Sequence, residues 1–208
     1  LGYERYGVWL VLSTVLTFAQ RGNLGVGQAV MKLVAEEYGR NDLEAVQQYM
    51  TSVIVVLVAS GAVVFGLIIL FRERIVVLFR LSEENAQTVS WLLPYMAGLS
   101  IYVFIVQAAN AMLSGLGRMD LANYAQTGGY LVALPVAGIL LSCNAGVKGL
   151  LIGNVASYLF IHAMSLICIR RIAPVRILRI DNLSVLRMKR LLRFGSGVLG
   201  SSLLTMFL

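Results

Sequence analysis

The sequence predicts an all-α fold, a polytopic bundle of transmembrane helices, and three observations predict it. Of 208 residues, 59% are hydrophobic and only 13% charged, with a mean hydropathy of +0.82. A soluble domain runs nearer about 45–50% apolar and about 25% charged, and an excess of this size would leave a globule covered in Leu, Val and Ile. Second, the apolar residues fall in runs close to the roughly 20 residues a helix needs to cross a bilayer. Third, the runs are separated by short turn-like or basic connections, as expected where every backbone polar group in lipid must be satisfied inside a helix. The same composition excludes disorder. The net charge of +7 is not spread like a nucleic-acid surface. From Arg170 to Arg193 eight basic residues stand against Asp181 alone, so one segment carries the excess and reads as a topology signal.

Six segments qualify as spans or begin to. The first starts near Tyr6, runs from Val8 to Gln20, is interrupted by Arg21 to Gly27, and resumes from Gln28 to Tyr38. The second, about Ala45 to Phe71, contains no charge. Arg72 to Leu81 mixes arginines with Ile75, Val76, Val77, Leu78 and Phe79, the pattern of a short interfacial helix. The third span is predicted over about Ala86 to Leu116, the fourth over Leu121 to Cys143 and the fifth over Val147 to Ile169. Gly117–Asp120 and Asn144–Gly146 are short enough to make neighbouring helices antiparallel hairpins. The sixth begins near Leu191 and runs to the chain end. The chain opens without Met and stops inside an apolar run, so both ends are expected to be cuts within a longer membrane protein.

Counting Lys and Arg by side gives orientation. Five (Arg5, Arg72, Arg74, Arg80, Lys148) fall on one side; Lys32, Arg40, Arg118 and the cluster of eight fall on the other, which should be cytoplasmic. Cys143 lies at the outer end of the fourth span and Cys168 near the inner end of the fifth, about a membrane thickness apart, beyond the roughly 7 Å Cα limit for a disulfide. With His162 they are too few and too scattered to hold a metal.

Catalysis finds little support. Acid-base or metal chemistry in a bilayer needs carboxylates or histidines beside the reacting centre, and no acidic residue falls clearly inside a span. No Walker-type phosphate loop is present, and Gly25-Val26-Gly27 is only a fragment of a dinucleotide loop in an apolar setting. No cofactor is implied.

Arg21 is the most informative residue. A helix entering lipid near Val8 would carry it about 20 Å inward, where an arginine costs roughly 2.5–3.5 kcal/mol and normally faces water, a partner or a ligand. Three readings stand: an interfacial anchor, a cationic wall for an anionic headgroup, or an intramembrane ion pair. Polar residues recur on single helical faces: Gln107, Asn110 and Ser114; Asn123, Gln126 and Tyr130; Asn154, Tyr158 and His162. They serve either as interhelical hydrogen bonds or as the lining of a hydrated pathway. His162 alone fits a packed, neutral histidine better than a proton relay. Ala145, Gly149, Gly153 and Ser157 form a small-residue ladder that reads as close helix packing. Pro94 and Pro135 predict kinks.

The opening Leu1-Gly2-Tyr3-Glu4-Arg5-Tyr6-Gly7-Val8-Trp9, the later Asn23-Leu24-Gly25-Val26-Gly27-Gln28-Ala29, and Lys32 to Asp42 resemble the start of polysaccharide (O-antigen type) flippases. These belong to the multidrug/oligosaccharidyl-lipid/polysaccharide exporter (MATE-like) superfamily. Leu113 to Arg118 fits the turn between helices four and five of that family, and Arg170 to Arg193 the link between its two six-helix lobes. The resemblance implies a preceding helix before Leu1. Residues 1–169 would then be an N-terminal transmembrane lobe holding helices two to six, 170–190 a basic cytoplasmic linker, and 191–208 the start of helix seven. Where relatives often carry an acid in an Asp-Leu-Gly-Leu-Gly pattern this chain has Asn23, which either frees Arg21 for substrate or marks a diverged site.

The implied activity is flipping of a polyprenyl-pyrophosphate-linked oligosaccharide across the cytoplasmic membrane by alternating access. An ion gradient (H⁺ or Na⁺) or the membrane potential would drive it. Arg21 would meet the headgroup, with Gln107, Asn110, Asn123, Gln126 and Asn154 as cavity residues and membrane lipids as the other partner. The competing reading within the superfamily is a cation-coupled multidrug exporter, which would want intramembrane carboxylates. A membrane glycosyltransferase would need a catalytic carboxylate or a large outer loop, and a passive scaffold would have no cavity.

Overall fold

A computed structural model describes the backbone of residues 3–21, 25–79, 83–173 and 184–207, and the side chains of 6–17, 25–79, 85–173 and 184–198. All eight elements there are helices, and no strand occurs among the described residues. They are α1 (Tyr3–Arg21), α2 (Val26–Gly39), α3 (Leu43–Leu70), α4 (Arg72–Leu78), α5 (Glu83–Gly115), α6 (Met119–Ser142), α7 (Gly146–Ile172) and α8 (Val185–Phe207). By length and apolar composition α3, α5, α6 and α7 can cross a membrane, while α1 contributes a shorter apolar stretch, Tyr6–Thr17. The expected interrupted first span is two helices, α1 and α2. Their join includes Gly25 at φ 66°, a left-handed conformation that glycine adopts without steric cost.

Three tight turns share one chemistry. After α2, Asn41 sits at φ 59°, with Asn41 N–H donating to Tyr38 O at 3.0 Å and Asp42 N–H to Glu37 O at 3.0 Å. After α5, Gly117 takes φ 78°, its N–H donating to Ser114 O and that of Arg118 to Leu113 O. After α6, Asn144 takes φ 59°, its N–H donating to Leu141 O and that of Ala145 to Leu140 O. Each is the paired bond set that satisfies the last free carbonyls of a helix, and Gly or Asn is the residue it needs. Asp42 then caps α3, its carboxylate accepting from Ala45 N–H at 2.9 Å. These turns fold α2 back on α3, α5 on α6 and α6 on α7.

α5 is the centre of the bundle. Of its most apolar window 56% is buried, against 11% for α6, and it packs on α1, α2, α3, α4, α6 and α7. α1 covers its first half: Val8, Leu12 and Leu16 meet a buried cluster with Val89, Leu93 and Met96. α2 covers the second half through Val26, Ala29, Val30, Leu33 and Val34, a stripe at helical spacing packed with Tyr49, Phe104 and Leu113. α3 lies beside both, and Gly61 lets it approach Ile101 and Phe104. The second cluster also holds Leu116, Cys168, Ala173 and Leu191, so the ends of α5 and α7 and the start of α8 meet at one end of the bundle.

The small-residue ladder of α7 does pack closely: a Cβ on Gly153 would lie 2.9 Å from Ala137 Cβ and 3.2 Å from Ala133 O of α6. The buried stripe continues past Ser157 through Ile161, Ser165 and Ile169. α5 and α6 run through Pro94 and Pro135 as continuous helices. α4 ends at Leu78, and the last part of the expected interfacial stretch, Arg80 and Leu81, lies outside the described residues. α7 extends to Ile172 and α8 already begins at Val185, so the non-helical part of the basic linker is shorter than 170–190; residues 174–183 lie outside the described ones. α8 starts earlier than expected, and its buried Leu191 docks on the core with Met188 and Phe194 packed against the same cluster.

Candidate functional site

α5 presents Gln107, Asn110 and Ser114 on one side, at a spacing of i, i+3 and i+7. Two cavities open against that side and share Gln107 and Asn110. One, of about 400 Å³, lies between α2 and α5 and is lined also by Gly25, Gly27, Gln28, Met31 and Ser114. The other, of about 160 Å³ and more enclosed, lies among α5, α6 and α7. Its polar lining adds Gln126, Tyr130, Asn154, Ser157 and Tyr158. Four of the six predicted cavity residues, Gln107, Asn110, Gln126 and Asn154, therefore converge on one place. Asn123, one turn before Gln126 on α6, is exposed and lines neither cavity. Arg21 is the last residue of α1, four positions before Gly25; its side chain lies outside the described residues, as does Asn23.

Among the described residues the polar part of the lining is uncharged, set beside apolar Met31, Ala111, Val106, Ala133 and Ile161. Several groups are held by their own helices. Ser114 Oγ donates to Asn110 O at 3.0 Å, Asn154 Nδ2 donates to Leu150 O at 3.0 Å, and Gln126 Nε2 donates to the Tyr130 hydroxyl at 3.3 Å. Asn110 Oδ1, by contrast, is buried without a hydrogen-bond partner. A buried acceptor in that condition costs about 1–3 kcal/mol, so Asn110 marks where a donor from water or substrate is wanted. Beside the enclosed cavity, Tyr102 OH and His162 Nδ1 are 2.9 Å apart, joining α5 to α7. That contact gives His162 a hydrogen-bond partner on a neighbouring helix.

One feature escaped the sequence. Glu37, at the end of α2, is only 8% exposed, and with Glu36 it faces Arg190 of α8: Arg190 Nη2 lies 3.2 Å from Glu36 Oε2 and Nη1 3.5 Å from Glu37 Oε1. Arg190 also donates to Tyr49 OH at 3.2 Å, and the Arg187 guanidinium lies over the Tyr49 ring at 5.0 Å. The available signal was the position of Glu37 on the buried stripe Val26, Ala29, Val30, Leu33, Val34.

The family described as MatE matches residues 7–139. A solved structure described as the inward-facing conformation of a multidrug resistance MATE family transporter of the MOP superfamily has the same fold, with a TM-score of 0.69 at 19% identity. The match covers 92% of this chain and 47% of that one, so the chain spans about half the length of that transporter. No curated protein matches the sequence.

Proposed function

The chain belongs to the MatE family, a family of membrane transporters and not of enzymes, and from that premise we propose that it serves a flippase for polyprenyl-pyrophosphate-linked oligosaccharides. The observation that carries this reading is the pair of uncharged, hydrogen-bonding cavities that share Gln107 and Asn110. Sugar hydroxyls are matched donors and acceptors, and neutral amides and phenols bind them without a charge to desolvate. A cationic drug or a Na⁺ ion would gain more from a carboxylate, and none lines these cavities among the described residues. Arg21, the last residue of α1 and four positions before Gly25 in the sequence, would supply the cation for a pyrophosphate. The polyprenyl tail stays in lipid.

In this reading residues 1–169 form most of an N-terminal lobe, 170–190 the basic link on the cytoplasmic side of the inner membrane, and 191–208 the start of a second lobe. Two lobes rocking about a midplane site give alternating access, driven by an H⁺ or Na⁺ gradient or by the membrane potential. Asn123 would then contact substrate only as it passes along the exposed face of α6. The second reading, a cation-coupled multidrug exporter, draws on the described substrate class of the solved relative.

The test is flipping of a fluorescent polyprenyl-pyrophosphate oligosaccharide by the full-length protein in liposomes. Arg21→Ala is expected to lower the rate about tenfold or more, the scale of one lost charge-assisted contact, and Arg21→Lys to restore part of it. Wild-type protein that moves ethidium but not the lipid-linked sugar would transfer the assignment to the drug exporter.

A further inference from the structure

α8 packs on α2 and α3 at a basic end of the bundle. Of the cations there, Arg40 and Arg190 pair with Glu36 and Glu37. Arg187 Nη1 is buried without a hydrogen-bond partner, and Lys32 has turned its ammonium onto the Phe194 ring at 4.5 Å. Among the described residues Arg193 has no carboxylate partner. Arg190 and Arg193 line an open groove of about 510 Å³ along α8, with Phe194 and Val198 as its apolar wall.

Arg190 thus faces two ways. Its contacts with Glu36 and Glu37, 3.2–3.5 Å, are long for charge-assisted bonds, and its side chain is 49% exposed. Arg40 holds Glu36 more closely, at 2.9 Å, and also reaches Glu37 at 3.5 Å. If Arg190 left, the buried Glu37 would keep a counter-ion, so the exchange strands no charge. The ligand in the groove must be an anion rich in acceptors, and a phosphate matches the guanidinium fork.

Taking the ligand class from the function proposed above, we infer that this junction is a phosphate-responsive latch. A phosphate-bearing anion seated against Arg193 draws Arg190 away from Glu36 and Glu37 and loosens α8 from α2 and α3. Because α8 follows the long basic connection, its release is a movement of the next part of the chain against the bundle that holds the cavities.

The experiment is amide hydrogen exchange on the full-length protein in nanodiscs of phosphatidylcholine, with and without inorganic pyrophosphate, and in nanodiscs containing phosphatidylglycerol. Pyrophosphate is expected to speed exchange of the α8 amides from Met188 to Val198 about tenfold, leaving α5 unchanged. Arg193→Gln should abolish the response and Lys189→Gln, on α8 outside the groove, should keep it. The double variant Glu36→Gln with Glu37→Gln should exchange fast from the start and gain nothing from pyrophosphate. Should that variant misfold, as α5 exchange would reveal, Arg193→Gln still decides. A response to phosphatidylglycerol alone assigns the anion to a lipid headgroup, and a response to pyrophosphate alone to a free or substrate-borne phosphate. No response to either, or equal loss in Lys189→Gln, overturns the latch. Since exchange is read and not transport, protein that answers pyrophosphate yet never flips the oligosaccharide refutes the function and leaves the latch standing.

Discussion

Asn110 is the residue on which site and stability pull apart. Its Oδ1 is buried without a partner at the seam of two cavities, a cost that packing alone would remove. Asn110→Leu is therefore expected to leave the thermal midpoint of the full-length protein unchanged or raised, since an apolar group of similar size abolishes an unsatisfied acceptor, while lipid-linked sugar flipping falls. Differential scanning fluorimetry and the liposome assay read the two effects separately. Tyr102→Phe should behave oppositely, losing about 1 kcal/mol of stability with the bond to His162; chemical unfolding in detergent checks it. Much of the site was legible at this scale. Amides at i and i+3 on one span must share a face, so Gln107 and Asn110 could be paired from spacing alone. The inter-helix partners could not. Glu37 and Arg190 are separated by most of the chain, and no periodicity links residues so distant. Arg21, the strongest expectation from sequence, is placed only by its backbone at the end of α1.

Among elements, the α6–α7 hairpin rests on two cheap features, a left-handed turn and a flat interface. Asn144 sits at φ 59°. Asn144→Val should destabilise by about 1–2 kcal/mol because a β-branched residue resists that conformation, whereas Asn144→Gly should be neutral or slightly stabilising. Gly153→Val should cost more, about 1–3 kcal/mol, since its Cβ would meet Ala137 Cβ at 2.9 Å and backbone rather than a movable side chain at 3.2 Å. Thermal unfolding of the three variants in one detergent orders them. The ladder of small residues was visible because a four-residue step of Ala, Gly, Gly and Ser on an apolar helix has few other uses. Helix ends were less visible. α8 begins six residues before the expected Leu191, because a basic first turn reads as loop until Leu191 is seen to dock in the core. The break between α1 and α2 was legible, since glycines and an arginine interrupt the apolar run, but not that each part covers its own half of α5.

At the scale of the whole molecule, the order of spans and their hairpin connections followed from hydropathy and turn chemistry, and the all-helical fold agrees with that of a MATE transporter. What hydropathy could not supply is which helix stands in the centre. α3 has the higher mean hydropathy, 3.0 against 1.8, yet α5 is the more buried, because in lipid an apolar surface is no reason to hide and packing shape decides instead. Gln107, Asn110, Ser114 and Asn154 are half-buried between α2, α5, α6 and α7, Gln126 and Tyr130 are exposed at the edge of the same cavity, and Leu131 and Leu134 are exposed beside them. The proposed function requires that this amide cluster meets the sugar. The most direct measurement is the flipping rate of a fluorescent polyprenyl-pyrophosphate oligosaccharide by full-length protein in liposomes. It compares the double variant Asn110→Leu with Gln126→Leu against the double variant Leu131→Ala with Leu134→Ala, at matched insertion. The cavity variant should lose about tenfold or more and the leucine one little. Equal rates in the cavity variant and wild type would contradict the account.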